Sequence, residues 1–111
     1  MHASALVGRG FRLRDSGDMR GALKQARLGL TVLGKPYVRR ANAAEASALV
    51  SLTLLAEEAA SQLHEQGAST TDLMDSIAAI KLLSGSDQKD LQSALPFLEA
   101  RLVMAASVSD A

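Results

Sequence analysis

The residues of this chain best suited to bind charged groups are three basic ones in a short stretch, Arg20, Lys24 and Arg27. They are four and three residues apart, and residues at these spacings are neighbours on one side of a helix. Such a stripe can bind the phosphates of a nucleic acid or the carboxylates of an acidic peptide. The stripe is therefore either a binding surface for anions or a solvated face whose charges pair with acidic residues later in the chain.

Further candidate residues lie close to this stripe in the sequence. Tyr37, Arg39 and Arg40 follow in a segment that contains a proline and a glycine, and we expect this segment to be a connecting loop. Leu28 and Val32 fall on the side of the same helix that is opposite its main apolar seam. We predict that the basic residues steer a partner, that the two aliphatic residues anchor it, and that Tyr37 is a hot spot. The predicted partner-binding residues are Arg20, Lys24, Arg27, Leu28, Val32, Tyr37, Arg39 and Arg40.

Sequence signatures of catalysis and of metal binding are missing. His64 has no metal-ligand residue type three or four positions before or after it, and the chain has no cysteine. Glu57 and Glu58 are adjacent in sequence, so they point to different sides of a helix and cannot act as a carboxylate pair. The segment 29–34 has glycines at the spacing of a phosphate-binding loop but lacks its Lys-Ser/Thr pair. We therefore expect no enzymatic activity, no cofactor and no metal.

Charge is divided between two halves of the sequence. Residues 1–40 contain nine basic and two acidic residues, a net charge of +7. Residues 41–111 contain three basic and ten acidic residues, a net charge of −7, so the formal net charge of zero hides a strong asymmetry. This division favours an acidic partner at the basic end, or head-to-tail association of copies into a ring or filament.

Composition favours a single helical domain. Apolar residues make up 48% of the chain, but it has only two Phe, one Tyr and no Trp, so Leu, Ala, Val, Ile and Met must form the core. No apolar run approaches the roughly 20 residues of a membrane span, and the N-terminal segment lacks the basic leader of a signal peptide. The absence of cysteine fits a reducing compartment. We expect a cytoplasmic protein with one all-α domain over 1–106 and a frayed tail over 107–111.

Apolar periodicity predicts five helices, at about 3–14, 18–33, 43–66, 71–83 and 87–106. The connections between them are short, so neighbouring helices are expected to pack antiparallel, as a helical-hairpin array or a small bundle. The apolar seam of the last helix stays in phase across Pro96, which predicts one helix kinked at that residue. The alternative is two short helices broken at Pro96.

Residues 6–34 resemble one tetratricopeptide repeat. Gly10, Gly17 and Ala22 fall where that family has small residues because its two helices cross closely, and further matching residues are Leu6, Leu13 and Ala26. The chain departs from the pattern at Arg9, Gly29 and Gly34. A second, degenerate repeat keeps the spacing at Ala60, Leu63 and Gly67 but has Asp72 at a small apolar position. The resemblance implies a protein-binding scaffold without chemistry of its own.

These patterns predict a non-enzymatic protein–protein interaction module, such as a small adaptor or chaperone-like scaffold, that binds an acidic or helical partner segment. Two alternatives stay open at this point. One is a self-assembling structural helical protein that uses the +7/−7 division of charge. The other is an accessory domain that binds nucleic acid, which the zero net charge and the few aromatic residues disfavour.

Overall fold

Six helices make up the fold in the computed structural model, which describes residues 3–33, 43–83 and 85–110. In chain order they are α1 Ala3–Asp15, α2 Met19–Leu33, α3 Ala43–Leu63, α4 Thr70–Leu82, α5 Gly85–Gln92 and α6 Leu95–Asp110. These three ranges contain no strand. The all-α class predicted from the sequence is confirmed.

The first two helices form a hairpin that reverses at Gly17. Gly17 has a φ of +92°, in the left-handed region that glycine adopts without strain. Its N–H donates to the carbonyl of Arg14 at 3.0 Å, and the N–H of Asp18 donates to the carbonyl of Leu13 at 2.8 Å. These two bonds are those of a Schellman motif, which satisfies the last carbonyls of a helix. The Asp18 carboxylate then accepts from the N–H of Gly21 at 2.9 Å and caps α2.

Small residues allow α1 and α2 to pack closely against α3. A Cβ atom on Gly29 would lie 2.7 Å from Cδ1 of Leu52 in α3, and one on Gly10 of α1 would lie 2.5 Å from Cδ2 of Leu55. Larger residues at either position would require the leucine to move. The buried residues of α2 are Ala22, Leu23, Ala26, Gly29 and Leu30.

The third helix is the centre of the fold. Between residues 46 and 60 only Ser47 and Glu58 are exposed, so its solvent face is narrow. Ser51 is only partly exposed. The hydroxyls of Thr53 in α3 and Ser76 in α4 are fully buried and lie 2.7 Å apart, so each satisfies the other.

This central helix ends three residues earlier than predicted. His64 has a φ of +56°, and the N–H of Glu65 donates to the carbonyl of Ala60 at 2.9 Å. This is the arrangement found at Gly17, with histidine in the position that usually holds glycine. Gly67, directly after the predicted end of this helix at residue 66, packs instead against a buried carboxylate, since a Cβ there would lie 3.0 Å from Oε1 of Glu57.

The next helix, α4, begins one residue before its predicted start at 71. Ser69 is its N-cap, and Ser69 and Asp72 form a capping box in which each side chain accepts from the other's backbone N–H. The Ser69 hydroxyl accepts at 3.1 Å. The apolar seam of this helix is buried in the core: Leu73, Ile77, Ile80 and Leu83.

The predicted single kinked helix over 87–106 is instead two helices, α5 and α6, separated at residues 93 and 94. The N–H of Ala94 donates to the carbonyl of Leu91, and the N–H of Leu98 donates to the carbonyl of Ala94, both at 3.0 Å. Pro96 therefore lies in the first turn of α6, where its missing N–H has no partner to lose. The helix then continues to Asp110, through four of the five residues we expected to be a frayed tail.

Side-chain contacts show antiparallel packing of α2 against α3. Gly29 lies at Leu52 whereas Arg20 lies at Glu65, so α2 and α3 run in opposite directions. The Cα radius of gyration is 13.2 Å, close to the roughly 13 Å expected of a compact domain of this length. Within the described ranges, no helix is both long and apolar enough to cross a membrane.

Candidate partner-binding surface

The face of α2 that points away from the core carries both basic and apolar side chains. Residues four apart share one side of a helix, and one such row runs along this face: Arg20, Lys24, Leu28 and Val32. We call it the α2 row. Leu28 is 44% exposed and Val32 is 47% exposed, while Arg27 is exposed beside them. The structure thus brings five of the predicted partner-binding residues together on one exposed face.

Two of the three basic residues on this face also contact the loop between α3 and α4. Nη1 of Arg20 lies 3.2 Å from Oε1 of Glu65, and Nη2 of Arg27 donates to the carbonyl of Gln66. The Arg20 side chain is 71% exposed, so its ion pair contributes little to stability. The ammonium of Lys24 forms no ion pair with any described residue, which leaves it as the cation most open to a partner.

The remaining predicted residues, Tyr37, Arg39 and Arg40, lie outside the described residues. Their part in the surface stays a prediction.

Ion pairs connect the basic and acidic halves of the sequence within one chain. Nη1 of Arg14 lies 3.0 Å from Oε2 of Glu58, and its guanidinium stands 4.5 Å from the centre of the Phe11 ring. Donation to Glu58, and then to Asp15, raises the pKa of Arg14. With the Arg20–Glu65 pair, these contacts agree with a face whose charges are partly paired inside the molecule.

A groove of about 480 Å³ lies between α1, α3 and α6. Two aromatic rings, Phe11 and Phe97, line it, and two arginines, Arg14 and Arg101, each pair with a glutamate beside it. The other lining residues are Leu54, Leu55, Glu57, Glu58, Ser61 and Gln62. The groove therefore combines apolar walls with charges that the protein already neutralises.

Glu57 at this groove is buried, with 3% of its side chain exposed. Its Oε2 accepts from Nε of Arg101 at 2.8 Å and lies 2.8 Å from Nη2 of the same residue. Its Oε1 accepts from the backbone N–H of Ala68 at 3.1 Å. One carboxylate of α3 thus fixes both α6 and the loop that leads to α4.

The pairing of Glu57 with Arg101 was not predicted from the sequence. The expectation that Glu57 and Glu58 point to different sides is confirmed, since Glu58 binds Arg14 on α1. A signal for the missed pair does exist. Glu57 lies in an apolar run that must be buried, a buried carboxylate needs a cation, and Arg101 is the only arginine after Arg40.

Metal-binding geometry is absent from the part of the chain that the structure describes. No group of three or more His, Asp or Glu side chains there is placed to hold a metal ion. His64 is exposed at the end of α3. Comparisons of the chain with protein-family models, with curated proteins and with solved structures find no match.

Proposed function

We propose that this chain is a non-enzymatic protein–protein interaction module, acting in the cytoplasm as a small adaptor or chaperone-like scaffold. It binds an acidic helical segment of a partner along the α2 row. The observation that carries the proposal is the continuity of that row, in which exposed cations at Arg20 and Lys24 lead directly to the exposed Leu28 and Val32. The two cations alone would select only the charge of a ligand, and the two aliphatic residues alone would select only its apolar stripe.

The dimensions of the row suit a short amphipathic helix. Twelve residues separate Arg20 from Val32, or about 18 Å of helix at 1.5 Å per residue. A partner helix of about three turns could place apolar residues on Leu28 and Val32 and carboxylates beside Lys24. Complementary charge would speed association and fix the orientation, while the apolar contacts would slow release.

The resemblance to a tetratricopeptide repeat is part of this proposal. Three features support it: Gly17 closes the turn of the α1–α2 hairpin, Ala22 is fully buried, and Gly10 leaves room for Leu55 of the following helix. The next helix, α3, also packs against both helices of the hairpin. In such a scaffold the hairpin positions the binding residues and takes no part in chemistry.

The two alternatives that use the same basic residues have less support. Assembly through opposite charges needs free charge in both halves, but the Arg14–Glu58 and Arg20–Glu65 pairs neutralise some of it within one chain. Binding of single-stranded nucleic acid commonly uses aromatic side chains that stack on bases, and α2 has none.

Charge reversal at Lys24 tests the proposed site. The probe is a synthetic amphipathic helix with a leucine stripe flanked by glutamates, and its Kd is measured by fluorescence anisotropy. Lys24→Glu should weaken binding on the order of tenfold because like charges then face each other. Stability should not change, since Lys24 is exposed. The matched control is Lys81→Glu, which makes the same charge change at an exposed position of α4.

Several outcomes would count against the α2 row. They are a Kd that neither Lys24→Glu nor Leu28→Asp changes, an equal loss in Lys81→Glu, and failure of the wild-type protein to bind the peptide. A 260 nm absorbance excess that disappears between about 0.1 M and about 1 M salt would favour the nucleic-acid alternative. The chain has one Tyr and no Trp, so bound nucleic acid would dominate its spectrum.

A further inference from the structure

Two of the side chains that line the groove between α1, α3 and α6 are aromatic rings, Phe11 and Phe97. Phe11 is partly buried, Phe97 is 46% exposed, and Leu54 and Leu55 of α3 extend the apolar lining. The guanidinium of Arg14 stands over Phe11, 4.5 Å from the ring centre, whereas none of the described arginines or lysines lies over the Phe97 ring. Phe97 is therefore the ring of this groove that is open to a ligand.

The four charged side chains among the described residues that line this groove are already paired with one another. Arg14 binds Glu58 at 3.0 Å and Arg101 binds Glu57 at 2.8 Å, so their charges sum to zero. A charged ligand would have to enter without a counter-ion or break one of these pairs, and either is costly next to the buried Glu57. The groove therefore favours a ligand without charge.

Two neutral polar side chains, Ser61 and Gln62, also line the groove. Both are exposed, and neither side chain forms a hydrogen bond with another described residue. A hydroxyl and a primary amide can each donate and accept, so either can bind a neutral polar group of a ligand. Small-molecule sites have this composition, in which mostly apolar walls carry a few polar groups that fix the orientation of the ligand.

The volume of the groove suits a small molecule better than a peptide helix. A space of about 480 Å³ lies within the range of roughly 300–1,000 Å³ found for sites of drug-sized ligands. A helix is about 10 Å across with its side chains, so two turns of it, about 11 Å long, fill roughly 850 Å³. The groove is too small to hold even those two turns.

We propose that this groove binds an uncharged aromatic molecule of drug size that carries one neutral hydrogen-bonding group, such as a hydroxyl or an aromatic amine. The ligand ring packs against Phe97, offset or edge to face, because aromatic pairs prefer these arrangements. The polar group of the ligand binds Ser61 or Gln62. None of the described residues that line the groove belongs to α2, so this site is separate from the α2 row and the two proposals can fail separately.

Two dyes that differ by one charged group test this proposal. N-phenylnaphthylamine is uncharged, and anilinonaphthalenesulfonate has the same rings with a sulfonate added. Both fluoresce strongly in apolar surroundings, so their Kd values are measured by titrating the protein into a fixed amount of dye. We expect a Kd on the order of 10 µM for the uncharged dye and about tenfold weaker binding of the sulfonate dye. Failure of the uncharged dye to bind would overturn the proposal, and so would equal affinities of the two dyes for the groove.

Removal of the open ring shows whether the dye is bound in this groove. Phe97→Ala should weaken binding of the uncharged dye about fivefold, because the ligand loses its aromatic contact. The matched control is Val103→Ala, which shortens another exposed apolar side chain of α6 that does not line the groove. The control should leave the Kd unchanged. An unchanged Kd in Phe97→Ala, or an equal loss in Val103→Ala, would overturn the assignment to this groove.

A second variant tests the role of charge, and circular dichroism checks the folding of all variants. Glu58→Gln leaves Arg14 without its partner on α3 and gives the groove a net positive charge. Binding of the sulfonate dye should then improve about threefold relative to the uncharged dye. Glu99→Gln is the matched control, with the same charge change at an exposed position of α6 outside the groove lining. If Glu58→Gln leaves the ratio of the two Kd values unchanged, or Glu99→Gln changes it equally, the groove does not select an uncharged ligand.

Discussion

Helices α2 and α6 both bury one face, but they hold that face in the core by different means. The buried face of α2 has alanines and a glycine that let α3 approach until Leu52 fills the space at Gly29. The inner face of α6 has the fully buried Leu98 and is also fixed by an arginine, Arg101, on Glu57. Close packing leaves the cations of α2 outside the core, whereas the only arginine of α6 forms an ion pair with a buried glutamate.

The outward faces differ accordingly. The α2 row presents cations and aliphatic side chains together, while the large exposed side chains of α6 are apolar: Phe97, Val103 and Met104. Each of the two helices also has an arginine in an ion pair: Arg20–Glu65 at 3.2 Å with side chains 71% and 38% exposed, and Arg101–Glu57 at 2.8 Å with 32% and 3% exposed. The two distances are similar, but the two pairs contribute very differently to stability. Water screens the Arg20–Glu65 pair and is largely excluded from the Arg101–Glu57 pair.

The largest expected effect is loss of the buried anchor of α6. Arg101→Leu leaves Glu57 buried without its cation and should lower the free energy of unfolding by about 3 kcal/mol, measured by urea denaturation. We take the low end of the usual range because water reaches part of the Arg101 side chain. The double variant Glu57→Gln/Arg101→Leu should recover part of the loss, because glutamine is uncharged and its Oε1 still accepts from the N–H of Ala68. A double variant as unstable as the single one would show that packing, not charge, dominates.

A smaller loss is expected from crowding the buried face of α2. In Gly29→Val the added side chain would overlap Leu52, and overpacking of this kind destabilises by about 2 kcal/mol. Gly8→Val is the control, since a Cβ at Gly8 has no atom within 4 Å. Thermal unfolding followed by circular dichroism measures both variants. Equal melting temperatures would mean that the Leu52 side chain can move aside without cost.

The smallest effect should come from the exposed ion pair of α2. Arg20→Leu should change the free energy of unfolding by less than about 1 kcal/mol, because that pair is largely in solvent. The change should shrink further at about 1 M salt, where charges are screened within about 3 Å. A loss comparable with that of Arg101→Leu would contradict the contrast between the two arginines.

Local sequence signals account for most of the helices and for part of the candidate surface. The apolar period of Met19, Leu23 and Ala26 locates α2, and the four-residue spacing of Arg20 and Lys24 places them on one side of it. These signals depend only on neighbours along one helix, so they can be read without the fold. The end of α3 was less predictable, since a histidine takes the left-handed position there and Gly67 serves packing.

The break before α6 is a second feature that local sequence signals could not predict. The apolar phase across Pro96 is compatible with one kinked helix or with two, and only the observed bonds of Ala94 and Leu98 distinguish them. A proline in the first turn of a helix loses no hydrogen bond, whereas one in the interior does, so restarting the helix is the less costly solution.

By itself, the sequence determined the helical class of this protein, the approximate limits of α1, α2 and α4, and the side of α2 on which the basic residues lie. The tertiary structure alone decided that Glu57 meets Arg101 across 44 residues, that Arg20 and Arg27 contact the loop after α3, and which face of α6 is left outside. Periodicity depends on neighbours within one helix and can be read from the chain. Contacts between helices depend on how closely small residues such as Gly10 and Gly29 let those helices approach.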